Sequence, residues 1–282
     1  MTDRTLAGKT ILMSGGSRGI GLAIALRAAR DGANVVLLAK TGDPHPKLEG
    51  TIHTAAAQLE AAGGHAVPVV GDLRSDQDIE RAVTAAADAF SGIDVVVNNA
   101  SALDLAPTSK MSMKRYDLLQ DINARGTFAL TRAALPYLEA AGNPHILTLS
   151  PPLDVEPRWF GHCLAYTLSK YGMSLCTLGF AGEFASAGIA ANSLWPRTTI
   201  GTAAVRNLLG GDAAVSRTRT PDIMADAAHA ILTRDSRACT GNFFIDEEVL
   251  RAEGVTDFSG YHPGGREEDL DADFFLPEAP LP

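Results

Sequence analysis

Short apolar runs that do not alternate with polar residues constrain this chain more than any other feature. They fall at residues 10–14, 34–39, 66–70, 94–98, 145–150, 190–194 and 242–245. A strand wetted on one face alternates, whereas a run apolar throughout suits a strand buried on both faces, the habit of a parallel sheet covered by helices. Segments with helical spacing lie between them, at 19–31, 51–62, 76–90, 114–141, 166–187 and 221–233. Strand and helix alternating at this rhythm predict an α/β fold, a single doubly wound domain with a mostly seven-stranded parallel sheet. No Ser/Gly linker, low-complexity stretch or internal repeat divides residues 1–245, so one domain is expected over 1–248 and a C-terminal tail over 249–282.

The net charge of −9 belongs to that tail. Residues 1–245 hold 22 acids and 22 bases, while residues 246–282 hold 11 acids and 2 bases. A neutral body with an acidic tail offers no positive face to a phosphate backbone, so nucleic acid is not an expected partner. The longest apolar runs fall far short of the roughly 18 residues that span a bilayer. Residues 1–9 carry charges of both signs and lack the apolar core of a secretion signal, so a cytoplasmic protein with no membrane span is expected. Cys163, Cys176 and Cys239 show neither metal-site pairing nor a disulfide framework; reduced, mostly buried thiols and no metal are expected. The segment 40–50, with Pro44 and Pro46, reads as an extended connection, and the tail, ending in Pro277, Pro280 and Pro282, should wrap the surface or lie free.

The first apolar run leads into Ser14-Gly15-Gly16-Ser17-Arg18-Gly19-Ile20-Gly21, where a helix begins. Glycines let the backbone turn tightly and approach a pyrophosphate, and a helix amino end supplies free N–H groups and a favourable dipole. A strand-to-helix turn uses glycine for positive φ in any case. Directly after the first strand of a βαβ pattern, the signal favours a dinucleotide. NAD sites place a carboxylate about 20 residues past the glycines to hold the ribose 2′-hydroxyl. The second run instead ends Ala39-Lys40, and Lys40 with Arg18 offers two cations to a 2′-phosphate, which predicts NADP(H). Asp72-Leu73 and Asn98-Asn99-Ala100 close two further runs, at strand ends where ligands of open α/β sheets bind; Asp and Asn also cap turns there.

Tyr166 and Lys170 stand one helical turn apart, so phenol and ammonium share a face. A free phenol, with a pKa near about 10, is a poor base at neutral pH. The neighbouring ammonium, and the positive nicotinamide of an oxidised cofactor, are expected to favour the phenolate and bring its pKa toward the working range. By itself the pair is common on helices, where tyrosine packs and lysine meets water.

The glycine loop, Asn98 to Ala100, Asn123, Ser150, and Tyr166 with Lys170, in this order and spacing, resemble the short-chain dehydrogenase/reductase family over about residues 6–248. Ala39-Lys40-Thr41, Leu149-Ser150-Pro151-Pro152, Leu194-Trp195-Pro196 and Asp273-Phe274-Phe275-Leu276 mark a closer likeness to one subgroup, nearly end to end. The resemblance implies a Rossmann-type fold and an oxidoreductase that interconverts an alcohol and a carbonyl, with Tyr166 as general acid/base. Lys170 would hold the nicotinamide ribose, and Asn123 would bend its helix and position a proton-relay water. Gly15, Ser17, Arg18, Gly19, Ile20 and Gly21 match the pyrophosphate loop, Asp72 and Leu73 the adenine contacts, and Asn99 and Ala100 the ribose side. Thr199 matches a backbone contact to the carboxamide. The resemblance also implies a homo-oligomer, dimer or tetramer, paired through the helices at 114–141 and 166–187.

Three departures stand out. Family members place the catalytic serine about thirteen residues before the tyrosine, whereas Ser150 stands sixteen before Tyr166 and precedes Pro151. Pro196-Arg197 replaces the usual Pro-Gly, and Asn98-Asn99-Ala100-Ser101 replaces a final glycine. Ser150 is expected to orient the substrate carbonyl from a shifted backbone. Two rivals remain beside the alcohol/carbonyl enzyme: a nucleotide-binding scaffold with little turnover, motivated by Pro151, and an enoyl reductase. The substrate is expected to be hydrophobic, because residues 197–220 would form a lid mixing apolar residues with Arg206, Arg217 and Arg219. Trp159, Phe160 and Trp195 would line its pocket or belong to the core.

Overall fold

Seven parallel strands in the order β3-β2-β1-β4-β5-β6-β7 form the sheet. The structure is a computed structural model and describes residues 4–44, 49–203, 205, 216–262 and 265–277. The strands are β1 (Thr10–Ser14), β2 (Asn34–Ala39), β3 (His65–Val70), β4 (Val95–Asn98), β5 (His145–Thr148), β6 (Ala190–Trp195) and β7 (Phe243–Ile245). The helices are α1 (Gly19–Ala29), α2 (Ile52–Ala61), α3 (Asp76–Phe90), α4 (Met113–Leu119), α5 (Gly126–Ala140), α6 (Pro157–Gly161), α7 (Leu164–Glu183), α8 (Asp222–Leu232) and α9 (Asp246–Ala252). Arg206 and His45 to Leu48 lie outside the described residues, as do positions 204 and 207–215 of the expected lid.

Within each apolar run, successive side chains still point to opposite faces. Ile11, Met13, Val35, Leu37, Val95 and Val97 face a core shared with α1, α2 and α8. Leu12, Val36, Leu38 and Val96 face a second core shared with α3, α5 and α7. Both faces are therefore dry, which is why polar alternation is missing from the sequence. β3 is one of the two edge strands, and it tolerates Pro68 because an edge leaves one side of the ladder unpaired.

Strand order reverses between β1 and β4, where Ser14 stands beside Asn98. The carboxyl ends of these two strands part and leave the crevice in which ligands of open α/β sheets bind. Asn99 pins that opening, with its Nδ2 donating to the carbonyl oxygens of Ser14 (3.1 Å) and Gly15 (2.9 Å). The backbone N–H groups of Asn99 and Ala100 both donate to Ser14 Oγ. Two glycines are required by this closeness. Gly15 sits at φ +76°, and a Cβ there would lie 2.8 Å from Ala100 Cα; one on Gly21 would lie 2.4 Å from Asn99 Nδ2.

The helix expected at 114–141 is α4 and α5 joined through a wide π turn at Gln120–Arg125. The expected end of the domain at 248 falls inside α9. Beyond it the tail wraps back: Phe258, Phe275 and Leu276 are buried. No helix among the described residues is long and apolar enough to cross a membrane.

Candidate active site

Two cavities share Ile20, Asn99, Ser101 and Thr202 and so form one crevice. The first, about 430 Å³, is lined by Gly15, Ser17, Arg18, Gly19, Ile20, Lys40, Asp72, Leu73, Asn99 and Ala100. These are the expected cofactor residues, brought together from β1, β2, β3 and β4 by the sheet order. Gly21 packs behind the turn against Asn99 and does not face the cavity.

The crevice fits a pyrophosphate on a direct test. The first turn of α1 has no side-chain cap and no acidic residue, so its amide groups and positive dipole end are left for a ligand. Arg18 Nε is buried without a partner, while its NH2 donates to the Gly50 carbonyl at 2.7 Å. An anion at this helix end would satisfy both deficits. Farther along, the Asp72 carboxylate accepts from Arg74 at 2.6 Å and pairs with Lys40 at 3.0 Å. The Arg74 hydrogen bonds, assisted by Lys40, hold Asp72 ionised well below the usual carboxylate range despite its partial burial. Lys40 therefore lines the cavity with its ammonium shared with a carboxylate.

The second cavity, about 530 Å³, is lined largely by apolar side chains including Leu103, Leu105, Leu149, Trp195, Ile200 and Met224. Tyr166 and Lys170 face it from α7, as their spacing predicts. Lys170 Nζ donates to the Leu149 carbonyl at 2.6 Å and lies 4.9 Å from the centre of the Trp195 ring. Burial pushes Lys170 down to about 7, opposed by the charge of Asp273. The same burial, reinforced by Asp273 and Cys163, raises the Tyr166 phenol above its ordinary value. In the chain alone, burial thus favours the protonated phenol of Tyr166, whereas the expectation of a phenolate invoked the ammonium together with an oxidised nicotinamide. Asn123 sits in the π turn, fully buried, where such widened turns bend helices. Its Oδ1 accepts from Ala102 N at 2.7 Å, and its Nδ2 donates to the Ala102 carbonyl and to Ser169 Oγ. It braces the loop after β4 against α7 and does not line the cavity.

Two expected contacts come out differently. Ser150 is wholly buried, its hydroxyl 2.8 Å from Ser193 Oγ, which donates onward to Thr177. Pro151 removes a backbone donor and turns the chain, so the hydroxyl joins this internal chain under the sheet and is not part of the cavity wall. Thr199 does line the cavity, but its N–H donates to the Asp271 carbonyl at 2.9 Å and its own carbonyl accepts from Arg219. Of the aromatics, Trp195 faces the cavity; Trp159 is buried, its Nε1 donating to Asp154, and Phe160 packs edge-on against Tyr171. Residues not singled out by chemistry also form the wall, Asp271 to Phe274 of the tail above all. Only the subgroup signature at 273–276 pointed there.

The chain's relatives agree with this geometry. The family model for short chain dehydrogenases matches residues 9–212. Hydroxysteroid dehydrogenase-like protein 2 of Xenopus laevis is 53% identical over 277 residues, covering 98% of this chain and 65% of that relative. The chain thus spans just under two thirds of the length of that protein. A crystal structure of a short chain dehydrogenase from Mycobacterium thermoresistibile is 51% identical with a TM-score of 0.91, covering 99% of this chain and 98% of the other. A short chain dehydrogenase from Mycobacterium paratuberculosis, bound to NAD, shares the fold at 21% identity and a TM-score of 0.72, covering 86% and 97%. With a glycine turn at the strand switch point and Tyr166 and Lys170 facing one cavity, the chain belongs to the short-chain dehydrogenase/reductase family.

Proposed function

We propose that the chain is an NADP(H)-dependent oxidoreductase interconverting an alcohol and a carbonyl on a hydrophobic small molecule, with Tyr166 as general acid/base. One observation carries this reading: Tyr166 and Lys170 line an apolar cavity that joins the uncapped amino end of α1. The nicotinamide, when bound, supplies or takes up the hydride. Gly15, Ser17, Arg18, Gly19 and Ile20 would hold the pyrophosphate, Leu73 the adenine, and Asn99 and Ala100 the ribose side. The absence of a carboxylate at the end of β2, with Lys40 and Arg18 beside the crevice, supports the phosphate-bearing cofactor even though one distant relative is bound to NAD. Residues 1–248 form the cofactor-binding domain in this reading, and the tail closes its substrate side.

Tyr166, kept protonated by burial, is set to give its proton to a carbonyl oxygen as the alcohol forms. Lys170 would gain the ribose hydroxyls as partners and, when charged, would assist recovery of the phenol proton from solvent. The apolar wall excludes water and sets the preference for a hydrophobic substrate. Screening medium-chain and aromatic alcohols, ketones and aldehydes with both cofactors, by absorbance of the reduced nicotinamide, tests the reading. Tyr166→Phe should lower turnover by about 10² to 10⁴ while NADPH affinity stays within a few fold. Near-normal turnover in that variant would make Tyr166 a packing residue. NADPH binding with no turnover of any substrate would favour the scaffold, the reading that the inward-turned Ser150 supports.

A further inference from the structure

With Ser150 turned inward, the wall around Tyr166 lacks the hydroxyl expected to share the reacting oxygen. Several polar groups there are committed: Asn99 to the glycine turn, Lys170 to the Leu149 carbonyl, Ser101 to the Ala102 carbonyl, Asp271 to Arg217, and the Thr199 backbone to the tail. The tail supplies one more. Asp273 lines the cavity with Tyr166 and Lys170, and its charge acts on both. Its position is fixed from both sides. Ala272 bridges Thr198 antiparallel, the Asp273 N–H donates to the Arg197 carbonyl at 3.0 Å, and Trp195 Nε1 donates to the Phe274 carbonyl at 2.8 Å. Phe275, buried at 2% exposure, plugs in among Trp159, Tyr166, Tyr171 and Trp195. It does so at φ +68°, a left-handed conformation unfavourable for such a residue, which persists only where packing over-determines it. Such anchoring holds a carboxyl in place against a cavity wall.

Building on the alcohol/carbonyl reading, we propose that Asp273 is a further catalytic residue, whose carboxyl group in its acid form donates a hydrogen bond to the reacting oxygen beside Tyr166. In reduction the carbonyl carbon accepts a hydride from the reduced nicotinamide. The π pair of the C=O bond moves to oxygen and takes the phenol proton of Tyr166, breaking its O–H bond. Asp273 stabilises the charge developing on that oxygen and keeps its own proton, so no bond to it forms or breaks. One carboxyl oxygen accepts from the Phe274 N–H at 2.8 Å, which leaves the other for substrate. Burial, together with the negative charge of Asp246 at the start of α9, pushes Asp273 up to about 7, opposed by Lys170 from α7; Tyr166 is the other titratable group facing it.

The test uses Asp273→Ala, Asp273→Asn and Tyr166→Phe, each checked by thermal unfolding and NADPH binding, with decanal and acetophenone as probes. Asp273→Ala should lower kcat by about 10²-fold with NADPH affinity within about twofold. Asp273→Asn, which still donates but cannot ionise, should stay within about tenfold of wild type. It should also make the fall in reduction rate as pH rises through about 7 shallower, leaving only the part that belongs to Lys170, a change that a purely structural role would not produce. Independently of turnover, infrared titration of the enzyme without cofactor should show a protonated-carboxyl band below neutral pH that Asp273→Asn lacks. Absence of that band overturns the proposal, as does Asp273→Ala turnover within about threefold of wild type. If neither probe is turned over, or the alanine variant does not fold, the infrared titration decides. Normal turnover in Tyr166→Phe would instead sink the reading on which the proposal rests.

Discussion

At the far end of the cofactor crevice, three cations and one carboxylate set the charge that a 2′-phosphate would meet. Lys40 and Arg74 both hold Asp72, and Arg18 reaches Gly50 with one nitrogen and leaves Nε unpaired. A charge-assisted pair with the phosphate adds affinity, and tenfold is only about 1.4 kcal/mol. NADPH is therefore expected to bind at least about tenfold tighter than NADH. Replacing Arg18 and Lys40 together by alanine should erase the difference, while Asp72→Asn, which frees Lys40, should widen it. Fluorescence titration of both cofactors measures the ratio, and equal affinities in the unmodified protein would refute the cofactor assignment. Arg18, Lys40 and Asp72 were legible because each follows a strand end, whereas Arg74 was not singled out. Asp273 was not legible in this way: it reaches Tyr166 only through a long return of the tail, and no local spacing encodes such a meeting.

Among elements, the strands were legible because a doubly covered sheet writes itself as unbroken apolar runs. α9 was not, since its opening Asp246-Glu247-Glu248 resembles the start of an acidic tail. In the fold those acids occupy the first helical turn, where the dipole favours them. The π turn at Gln120–Arg125 was hidden too, because widening by one residue leaves the apolar spacing nearly intact. Element ends also carry the chain's acid sensitivity. His145 opens β5, fully buried, its Nε2 3.0 Å from the Arg234 carbonyl. Burial lowers its pKa from 6.5 to about 4. Above 6.5 the ring is neutral folded or unfolded, so it contributes no pH dependence there. As pH falls from about 6.5 to about 4 the unfolded chain takes up a proton that the folded one refuses, and stability drops, by up to about 3 kcal/mol. Asp273 and Asp246, raised to about 7 and about 6, add stability over the same fall in pH, so the His145 loss is read from the difference in urea unfolding between the unmodified protein and His145→Gln, which can still donate to Arg234 and should lose less stability as pH falls. An unchanged acid slope in that variant would assign the sensitivity elsewhere.

For the molecule as a whole, the acidic tail is a tether and a wall. Buried Arg219 pairs with Glu247 and Glu267, and Arg217 with Asp271, so the tail's charge is matched to arginines after β6. The surface left over is uneven in another respect. Leu168, Leu175 and Leu178, 41%, 57% and 50% exposed, recur on one side of α7, and Phe128 of α5, 50% exposed, packs near Phe180 of that helix. Scattered single apolar residues are ordinary, but large ones grouped on two packed helices mark an association surface. We propose that a second copy covers it, because a self-complementary patch closes a twofold pair without any other partner. Light scattering of a dilute sample should therefore report a species well above 29.6 kDa. Leu175→Asp with Leu178→Asp places like charges opposite one another across such a contact and should yield the single chain with its helical signal intact. Because α7 also carries Tyr166 and Lys170, the separated chain should lose turnover along with thermal stability. A single-chain mass for the unmodified protein, at concentrations where the fold is intact, would leave this apolar face without the partner assigned to it.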